Sequence, residues 1–181
     1  SISTTAESPT EMRETSVSST FTFVSSVPMS GNVRGVAASR FSVPMLAVSL
    51  LYRRGHFQQL LDSHGTQSER PEVWSVENTL TAVDAKAMVE IGDRIVHIRA
   101  WRYLVRGCTG HDVPTYLLDT DLPENDPVDR ELTGTLYGGD ARYRLSQEVV
   151  LGIGGIRLLR ALGMTSLERF HLNEGHAAFA I

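Results

Sequence analysis

The sequence predicts an α/β fold built around a parallel sheet. Val43 to Leu51 reads VPMLAVSLL, an apolar run that is long enough for a buried strand and too short for a typical helix. Near the other end, Arg169 to Asn173 (RFHLN) predicts a short strand, Glu174 and Gly175 a turn, and His176 the start of a helix. Strand, tight loop and helix in this order are typical of one unit of an open α/β sheet.

Between these two segments, the sequence predicts a mixture of loops and strands. Tyr52 to Leu61 (YRRGHFQQLL) predicts a loop and a short helix, because a glycine permits a turn before a polar segment. Ala87 to Arg106 alternates apolar and polar residues on both sides of Gly92, which predicts a β-hairpin. Val113 to Leu118 predicts a further strand.

Two helices are predicted in the second half of the chain. Asp126 before Pro127 is typical of a helix start, and this helix is expected to run to Gly138. Apolar residues keep helical spacing from Arg144 to Leu162, and a glycine follows directly, which predicts a second helix that ends there. Three glycines inside that helix predict close packing against a neighbouring element or a ligand.

The composition divides the chain into two parts. Residues 1–36 are rich in serine and threonine and show no apolar period, which predicts a disordered segment before one folded unit, residues 37–181. No secretory signal is predicted, because serines and Pro28 interrupt the apolar residues near the start. The first residue, Ser1, and the apolar helical pattern that reaches Ile181 predict a chain that was cut at both ends.

Charge and cysteine content restrict the class of protein. A net charge of -4 at pH 7 argues against a nucleic-acid partner, which would favour a basic surface. No apolar run approaches the length of about 18 residues that spans a membrane. With Cys108 as its single cysteine, the sequence forms no intrachain disulfide, and a cytoplasmic location is expected.

Two patterns that resemble metal sites are incomplete. The acidic run from Asp119 to Asp129 has the spacing of a calcium loop, but Glu124 stands where glycine is required and Arg130 where a glutamate belongs. His171 and His176 are five positions apart, one more than the helical zinc-protease motif requires. No metal site is therefore predicted.

Two longer segments carry a family resemblance. Residues 43–67, VPMLAVSLLYRRGHFQQLLDSHGTQ, and residues 119–152, DTDLPENDPVDRELTGTLYGGDARYRLSQEVVLG, are similar to the α-glucan phosphorylases, the second to their bacterial short type almost position by position. Members of this family have the GT-B glycosyltransferase architecture of two Rossmann-like lobes. The resemblance spans residues 37–181 and implies part of the N-terminal lobe.

The resemblance also implies an activity, which is the phosphorolysis of α-1,4-glucans by inorganic phosphate to glucose 1-phosphate with pyridoxal phosphate as cofactor. The lysine that binds this cofactor lies in the family's C-terminal lobe, and Lys86, the one lysine here, matches no family motif. We therefore expect this chain to need that C-terminal lobe for catalysis. The alternative is a non-catalytic glucan-binding or interaction module. Part of a two-lobed fold exposes the apolar face that its partner elements would cover. We therefore expect this face to pair with the C-terminal lobe or with a second copy of the chain in a homo-oligomer.

Site residues follow from the same resemblance. The loop that gates substrate access in the family matches four residues, Tyr137, Gly138, Gly139 and Asp140. Two glycines beside an acid suit a hinge with a hydrogen-bonding tip. His176 matches the histidine that contacts the transferred glucosyl residue, and Asn173 lies on the same loop. The structural alternatives are a solvated turn acid at Asp140 and a helix-capping or core histidine at His176.

Overall fold

The computed structural model describes residues 20–23, 44–55, 57–71, 74–136, 138–172 and 175–180. The described strands are β1 (Thr20–Phe23), β2 (Met45–Leu50), β3 (Phe57–Leu61), β4 (Gln67–Pro71), β5 (Thr81–Ile91), β6 (Arg94–Arg106), β7 (Asp112–Asp119) and β8 (Arg169–Leu172). The described α-helices are α1 (Val76–Thr79), α2 (Pro127–Arg130), α3 (Ala141–Val149) and α4 (Gly155–Ala161). A π-helical turn (Val150–Gly154) joins α3 to α4, and 3-10 turns cover Glu131–Thr133 and Gly175–Ala180.

Six of the strands form one sheet in the order β5-β6-β7-β2-β1-β8. Strands β7, β2, β1 and β8 run parallel, whereas β5 and β6 add an antiparallel hairpin at one edge. The α/β prediction is thus confirmed, and the sheet is mixed. Because parallel strands share one direction, β2, β7 and β8 all end at the same side of the sheet, where open α/β folds place their ligands.

The helical segment from Ala141 to Ala161 covers one face of the sheet. Leu151, Leu158 and Leu159 are at most 2 % exposed and belong to the same apolar cluster as Val48 of β2. This cluster forms the main core. Within the described ranges, no helix is both long and apolar enough to cross a bilayer.

The other face of the sheet is partly covered by α1. Val76 of α1 packs with Leu51, Trp101 and Leu117 in a second, smaller cluster. The sheet is thus buried on both faces near its centre, as expected for parallel strands in an α/β protein. The continuous apolar run before Leu51 follows from this double burial.

Most of the predicted elements are confirmed with small shifts. The apolar run at Val43 to Leu51 forms β2, and the two halves of Ala87 to Arg106 form β5 and β6 around Gly92, whose φ is 66°. Strand β7 covers the run from Val113 to Leu118. The helix predicted from Arg144 begins three residues earlier and contains the π-helical turn.

The helix predicted within Tyr52 to Leu61 is wrong. Strand β3 occupies its second half and pairs antiparallel with β4, so that residues 57–71 form a separate two-stranded hairpin. Every residue of β4 is exposed, and Leu61 of β3 is 72 % exposed. A strand that buries neither face lacks the alternation by which strands are predicted.

The helix predicted to run from Pro127 to Gly138 ends early. Helix α2 and the following 3-10 turn stop at Thr133. The chain then pairs with Arg54: the Arg54 amide donates to the Gly134 carbonyl at 3.0 Å, and the Leu136 amide donates to the Arg54 carbonyl at 2.9 Å. These long-range hydrogen bonds replace the helical ones.

The expected disorder of residues 1–36 is wrong for four of them. Thr20–Phe23 form β1, which pairs in parallel with β2 on one side and with β8 on the other. The disorder was predicted from a composition rich in serine and threonine without an apolar period. In these four residues, backbone hydrogen bonds to two neighbouring strands determine the conformation instead. The other residues of this segment lie outside the described part of the chain.

Candidate functional site

A cavity with polar and apolar lining opens at the carboxyl ends of the parallel strands. It encloses about 30 Å³ and is lined by Leu50, Tyr52, Arg144, Gln147, Glu148, Leu151 and His176. A wider, more open depression of about 450 Å³ adjoins it and is lined by Gly139, Asp140, Ala141, Arg144, Leu145 and Glu148. Since Arg144 and Glu148 line both, the two depressions form one continuous recess, which we call the edge recess.

Asp140 begins the helix that forms one wall of the edge recess. Its Oδ1 accepts a hydrogen bond from the backbone amide of Tyr143 at 2.9 Å, which makes Asp140 the N-cap of α3. The Tyr143 hydroxyl donates to the Glu131 carbonyl at 2.7 Å and ties this helix start to the preceding 3-10 turn. Asp140 therefore has a structural role in this conformation.

Gly139 has a backbone that requires glycine. Its φ is 75°, and a Cβ atom at this position would lie 2.4 Å from Cγ of Tyr143. The left-handed conformation and the missing side chain together allow the loop to turn directly into α3. Gly138 lacks this constraint, because a Cβ there would meet Thr135 at an ordinary 3.4 Å. Tyr137, the remaining residue of the predicted gate loop, lies outside the described residues.

His176 reaches the edge recess from the opposite side. It lies on the 3-10 turn that follows β8, its side chain is 41 % exposed, and its Nδ1 is 4.0 Å from Oε1 of Glu148. Asn173, predicted on the same loop, lies outside the described residues. The structure thus brings His176 next to Glu148 and Arg144, while Asp140 stands at the start of the helix that carries both.

The glycines of the long helix make this approach possible. A Cβ on Gly152 would lie 2.7 Å from the backbone carbonyl carbon of Phe179, in the turn that carries His176. A Cβ on Gly154 would lie 2.4 Å from Cδ1 of Ile98 in the sheet. The predicted close packing at these glycines is confirmed: the helix is in contact with the 3-10 turn on one side and with the sheet on the other.

A buried carboxylate lies beside the site, at the end of β7. Asp119 is completely buried, and its oxygens accept hydrogen bonds from Arg53 at 2.9 and 3.1 Å and from Arg99 at 2.8 Å. The Trp101 indole donates to the same carboxylate at 2.9 Å. This network joins the ends of β2 and β7 to the middle of β6. Two further residues of the acidic run also form ion pairs, Asp121 with Arg130 and Asp129 with Arg94.

The charge state of Asp119 follows from this network. Burial alone raises the pKa of the Asp119 carboxyl, but hydrogen bonds from Arg53 and Trp101 and the charge of Arg53 outweigh it, and the pKa falls to about 2. Asp119 is therefore ionised at neutral pH. Its hydrogen-bonding capacity is used within the protein, which assigns it to the scaffold of the site.

The single lysine is in the wrong place to hold pyridoxal phosphate in this recess. Lys86 lies on β5, at the edge of the sheet opposite to β8, and its side chain is 67 % exposed. Its Nζ is 3.4 Å from Oε1 of Glu124. The described residues therefore do not fit a Schiff base with that cofactor in the edge recess.

Sequence reasoning missed Arg144 and Glu148 as site residues. They are four positions apart on a helix, so that they share one face, and this spacing was the available signal. The sequence alone did not indicate that this face is opposite His176. That relationship depends on the crossing of α3 with the turn after β8.

Comparison with known proteins identifies relatives of the chain. Maltodextrin phosphorylase of Thermococcus litoralis is 42% identical over 150 residues, which cover 79% of this chain and 17% of that protein. Glycogen phosphorylase of Mycobacterium tuberculosis is 39% identical over 155 residues, again covering 79% of this chain and 17% of the relative. Glycogen phosphorylase of Aquifex aeolicus is 32% identical over 149 residues, with 78% and 21% covered.

A solved structure supports the fold. The catalytic domain of starch synthase IV from Arabidopsis thaliana, bound to ADP and acarbose, superposes with a TM-score of 0.53 at 12% identity, covering 91% of this chain and 29% of that one. No protein-family model matches. The architecture is thus part of a GT-B glycosyltransferase lobe. The chain belongs to the α-glucan phosphorylase family and spans about a sixth of the length of the first two relatives above.

Proposed function

We propose that this chain supplies a glucan-binding wall of an α-glucan phosphorylase. The observation that carries the proposal is the convergence of Arg144, Glu148 and His176 in the edge recess, where β2 and β8 end. Sugar hydroxyls both donate and accept hydrogen bonds, and these three side chains offer guanidinium donors, carboxylate acceptors and an imidazole. The relationship to maltodextrin and glycogen phosphorylases supports an α-1,4-glucan as the ligand.

Arg144 is the residue most available to a ligand. Within the described part of the chain, its guanidinium takes part in no ion pair, although it lines both parts of the edge recess. A planar guanidinium binds vicinal hydroxyls or a phosphate with two parallel hydrogen bonds. We propose that Arg144 contacts the glucan or the inorganic phosphate.

The Gly139–Asp140 turn is proposed as the moving part of this site. Gly139 has the left-handed backbone of a hinge, and Asp140 lies beside the wider part of the edge recess. Movement of the turn would break the hydrogen bond that the Tyr143 amide donates to Asp140. The moved conformation would therefore lose the free energy of this helix cap. The Asp140 carboxylate would then be available to a bound glucan, in agreement with the resemblance-based assignment.

The complete reaction is assigned to the whole enzyme. In the proposal, an oxygen of inorganic phosphate bonds to the anomeric carbon of the terminal glucosyl residue as the α-1,4 bond breaks, so that glucose 1-phosphate forms and the shortened glucan takes a proton on its freed O4. Pyridoxal phosphate would be held by the family's C-terminal lobe and would supply a group for this proton transfer. This chain contributes binding and orientation of the glucan. A cytoplasmic location belongs to the proposal, and the free, exposed Cys108 is compatible with a reducing compartment.

A non-catalytic glucan-binding module is the second candidate. The observation that favours it is the position of Lys86, which is paired on the outer edge of the sheet, away from the recess. A chain that keeps the sugar-facing groups and lacks a suitable lysine would bind without turnover. The two candidates differ in activity and agree on the binding site.

Calorimetry with maltoheptaose tests the shared claim. We expect heat of binding with the unaltered chain and at least a tenfold weaker affinity for His176→Ala. The matched control is His64→Ala, in the exposed turn between β3 and β4, which should leave the affinity unchanged. Equal binding by both variants would overturn the site. Because the enzyme proposal assigns turnover to the whole enzyme, release of glucose 1-phosphate from maltoheptaose and phosphate is then measured with a phosphorylase C-terminal lobe added. Turnover that depends on this chain would refute the module, and its absence would refute the enzyme proposal.

A further inference from the structure

We infer that Glu148 is a positioning residue that fixes the orientation and the tautomer of His176. The assignment of a glucan to the site rests on the proposed function, whereas the pairing of the two side chains rests on geometry alone. Nδ1 of His176 is 4.0 Å from Oε1 of Glu148, and the two side chains are 41 % and 29 % exposed. Each is half-buried in the wall of the edge recess.

A carboxylate next to one ring nitrogen favours the proton on that nitrogen. When Nδ1–H points to an anion, the neutral imidazole carries its lone pair on Nε2, because only one nitrogen is protonated. Nε2 then accepts a hydrogen bond from a hydroxyl group. The opposite tautomer would place a lone pair against the carboxylate, which is repulsive.

The backbone determines how Glu148 and His176 face each other. The neighbouring residue Gln147 is buried and donates from Nε2 to the Leu132 carbonyl at 2.8 Å, which fixes the rotation of α3 about its axis. On the other side, Gly152 allows the backbone at Phe179 to contact the helix closely. Both side chains thus extend from fixed backbone, so that their pairing is a feature of the fold.

The separation of 4.0 Å is longer than a direct hydrogen bond, which needs about 2.7 to 3.2 Å between nitrogen and oxygen. Hydrogen bonds of this kind are often long without a ligand and shorten when the ligand binds. Arg144 lies one turn earlier on the same helix face and lines the recess together with Glu148.

The first experiment requires no substitution. Two-bond 15N–1H correlation spectra of the unaltered chain, at a pH about two units above the ordinary histidine pKa of about 6.5, show which nitrogen of each neutral imidazole is protonated. His176 is assigned by the signal that is missing in His176→Ala. The expected result is a proton on Nδ1. A proton on Nε2 of His176 would overturn the inference.

The second experiment changes Glu148. Glu148→Gln keeps the size and loses the charge, and we expect His176 to become a mixture of tautomers and maltoheptaose affinity to fall about tenfold, as for one lost hydrogen bond. Glu148→Asp keeps the charge on a shorter side chain and should recover part of both properties. Glu90→Gln, on the exposed face of the opposite edge strand, is the matched control.

The outcomes separate this inference from the proposed function. If the unaltered chain binds no maltoheptaose, the proposed function fails, and the spectra still decide whether Glu148 pairs with His176. If the chain binds but Glu148→Gln keeps the tautomer and the affinity, the pairing fails and the binding site stands. If the His176 signals of Glu148→Gln are the same as those of the unaltered chain, the role of Glu148 is rejected.

Discussion

The guanidinium of Arg53 and the carboxylate of Asp119 form a two-pronged ion pair at the carboxyl end of the sheet. Nη1 and Nη2 donate to the two carboxylate oxygens at 2.9 and 3.1 Å, although the residues are 66 positions apart in the chain. The pair joins the loop after β2 to the end of β7, and Leu50 at the end of β2 lines the edge recess. Its geometry therefore links the stability of the fold to the placement of the edge recess.

Asp119→Asn should lower the free energy of unfolding by about 3 kcal/mol. The substitution keeps the size of the side chain but leaves the partly buried cations of Arg53 and Arg99 without their anion, and breaking a buried ion pair by removing one partner costs about this much. Guanidinium denaturation measures the change. Asp84→Asn, on the exposed face of β5, should change stability by less than about 0.5 kcal/mol. Equal effects of both substitutions would contradict the role of the network.

The same carboxylate predicts how stability depends on pH. The folded-state pKa of Asp119 is about 2 and its ordinary value is 3.8. Because the pKa of Asp119 is lower in the folded protein than in the unfolded chain, its ionised form stabilises the fold. This contribution is complete above the unfolded-state pKa and is lost as the pH falls through the folded-state pKa. The loss from this group should thus occur between about pH 4 and pH 2 and amount to about 2 kcal/mol.

Denaturation curves of Asp119→Asn and of the unaltered chain over this pH range isolate that contribution. The difference in stability between the two proteins should shrink as the pH falls. Protonation of Asp119 removes the negative charge in the unaltered chain, and Asp119→Asn lacks that charge at every pH. A difference that stays constant from pH 5 to about pH 2 would assign the acid sensitivity to other carboxylates.

Two glycines in the π-helical turn should respond differently to alanine. The added methyl group of Gly152→Ala meets backbone atoms of Phe179 and Ala180, which cannot yield without moving the turn that carries His176. Overpacking of this kind costs about 1 to 3 kcal/mol. The methyl group of Gly154→Ala meets the flexible end of Ile98, and better helix propensity, worth up to about 1 kcal/mol, offsets much of that contact.

Maltoheptaose affinity and guanidinium denaturation of both variants test this difference. We expect Gly152→Ala to lose both binding and stability and Gly154→Ala to retain binding. If Gly154→Ala loses binding and stability while Gly152→Ala retains them, contact of the helix with the sheet, and not with the turn that carries His176, supports the site.

The elements that bury an apolar face were predictable from the sequence. Strand β2 was found because it is buried on both sides, and the long helix because its apolar residues face the sheet. The hairpin of β3 and β4 was missed, since its exposed residues leave no apolar pattern. Strand β1 was missed because its neighbours, rather than its composition, determine its conformation.

The candidate site was predictable only in part. Asp140 and His176 came from family resemblance, and the structure brings the second of them to Arg144 and Glu148. The partners of Asp119 could not be derived, because Arg53, on the loop after β2, and Trp101, on β6, are distant from it in the sequence and no local spacing relates them. Contacts of that kind depend on the order of strands in the sheet.

Asp140 gives a test that separates a structural role from a role in binding. Asp140→Ala removes the N-cap of α3 and should lower the free energy of unfolding by about 1 kcal/mol, whereas Asp140→Asn keeps a side-chain acceptor for the Tyr143 amide and should leave stability unchanged. Denaturation measures both. If maltoheptaose affinity falls in Asp140→Asn while stability is retained, the negative charge itself contacts the glucan, as the proposed gate requires. If affinity falls only in Asp140→Ala, the residue acts through the helix start, and the gate must be assigned to another side chain.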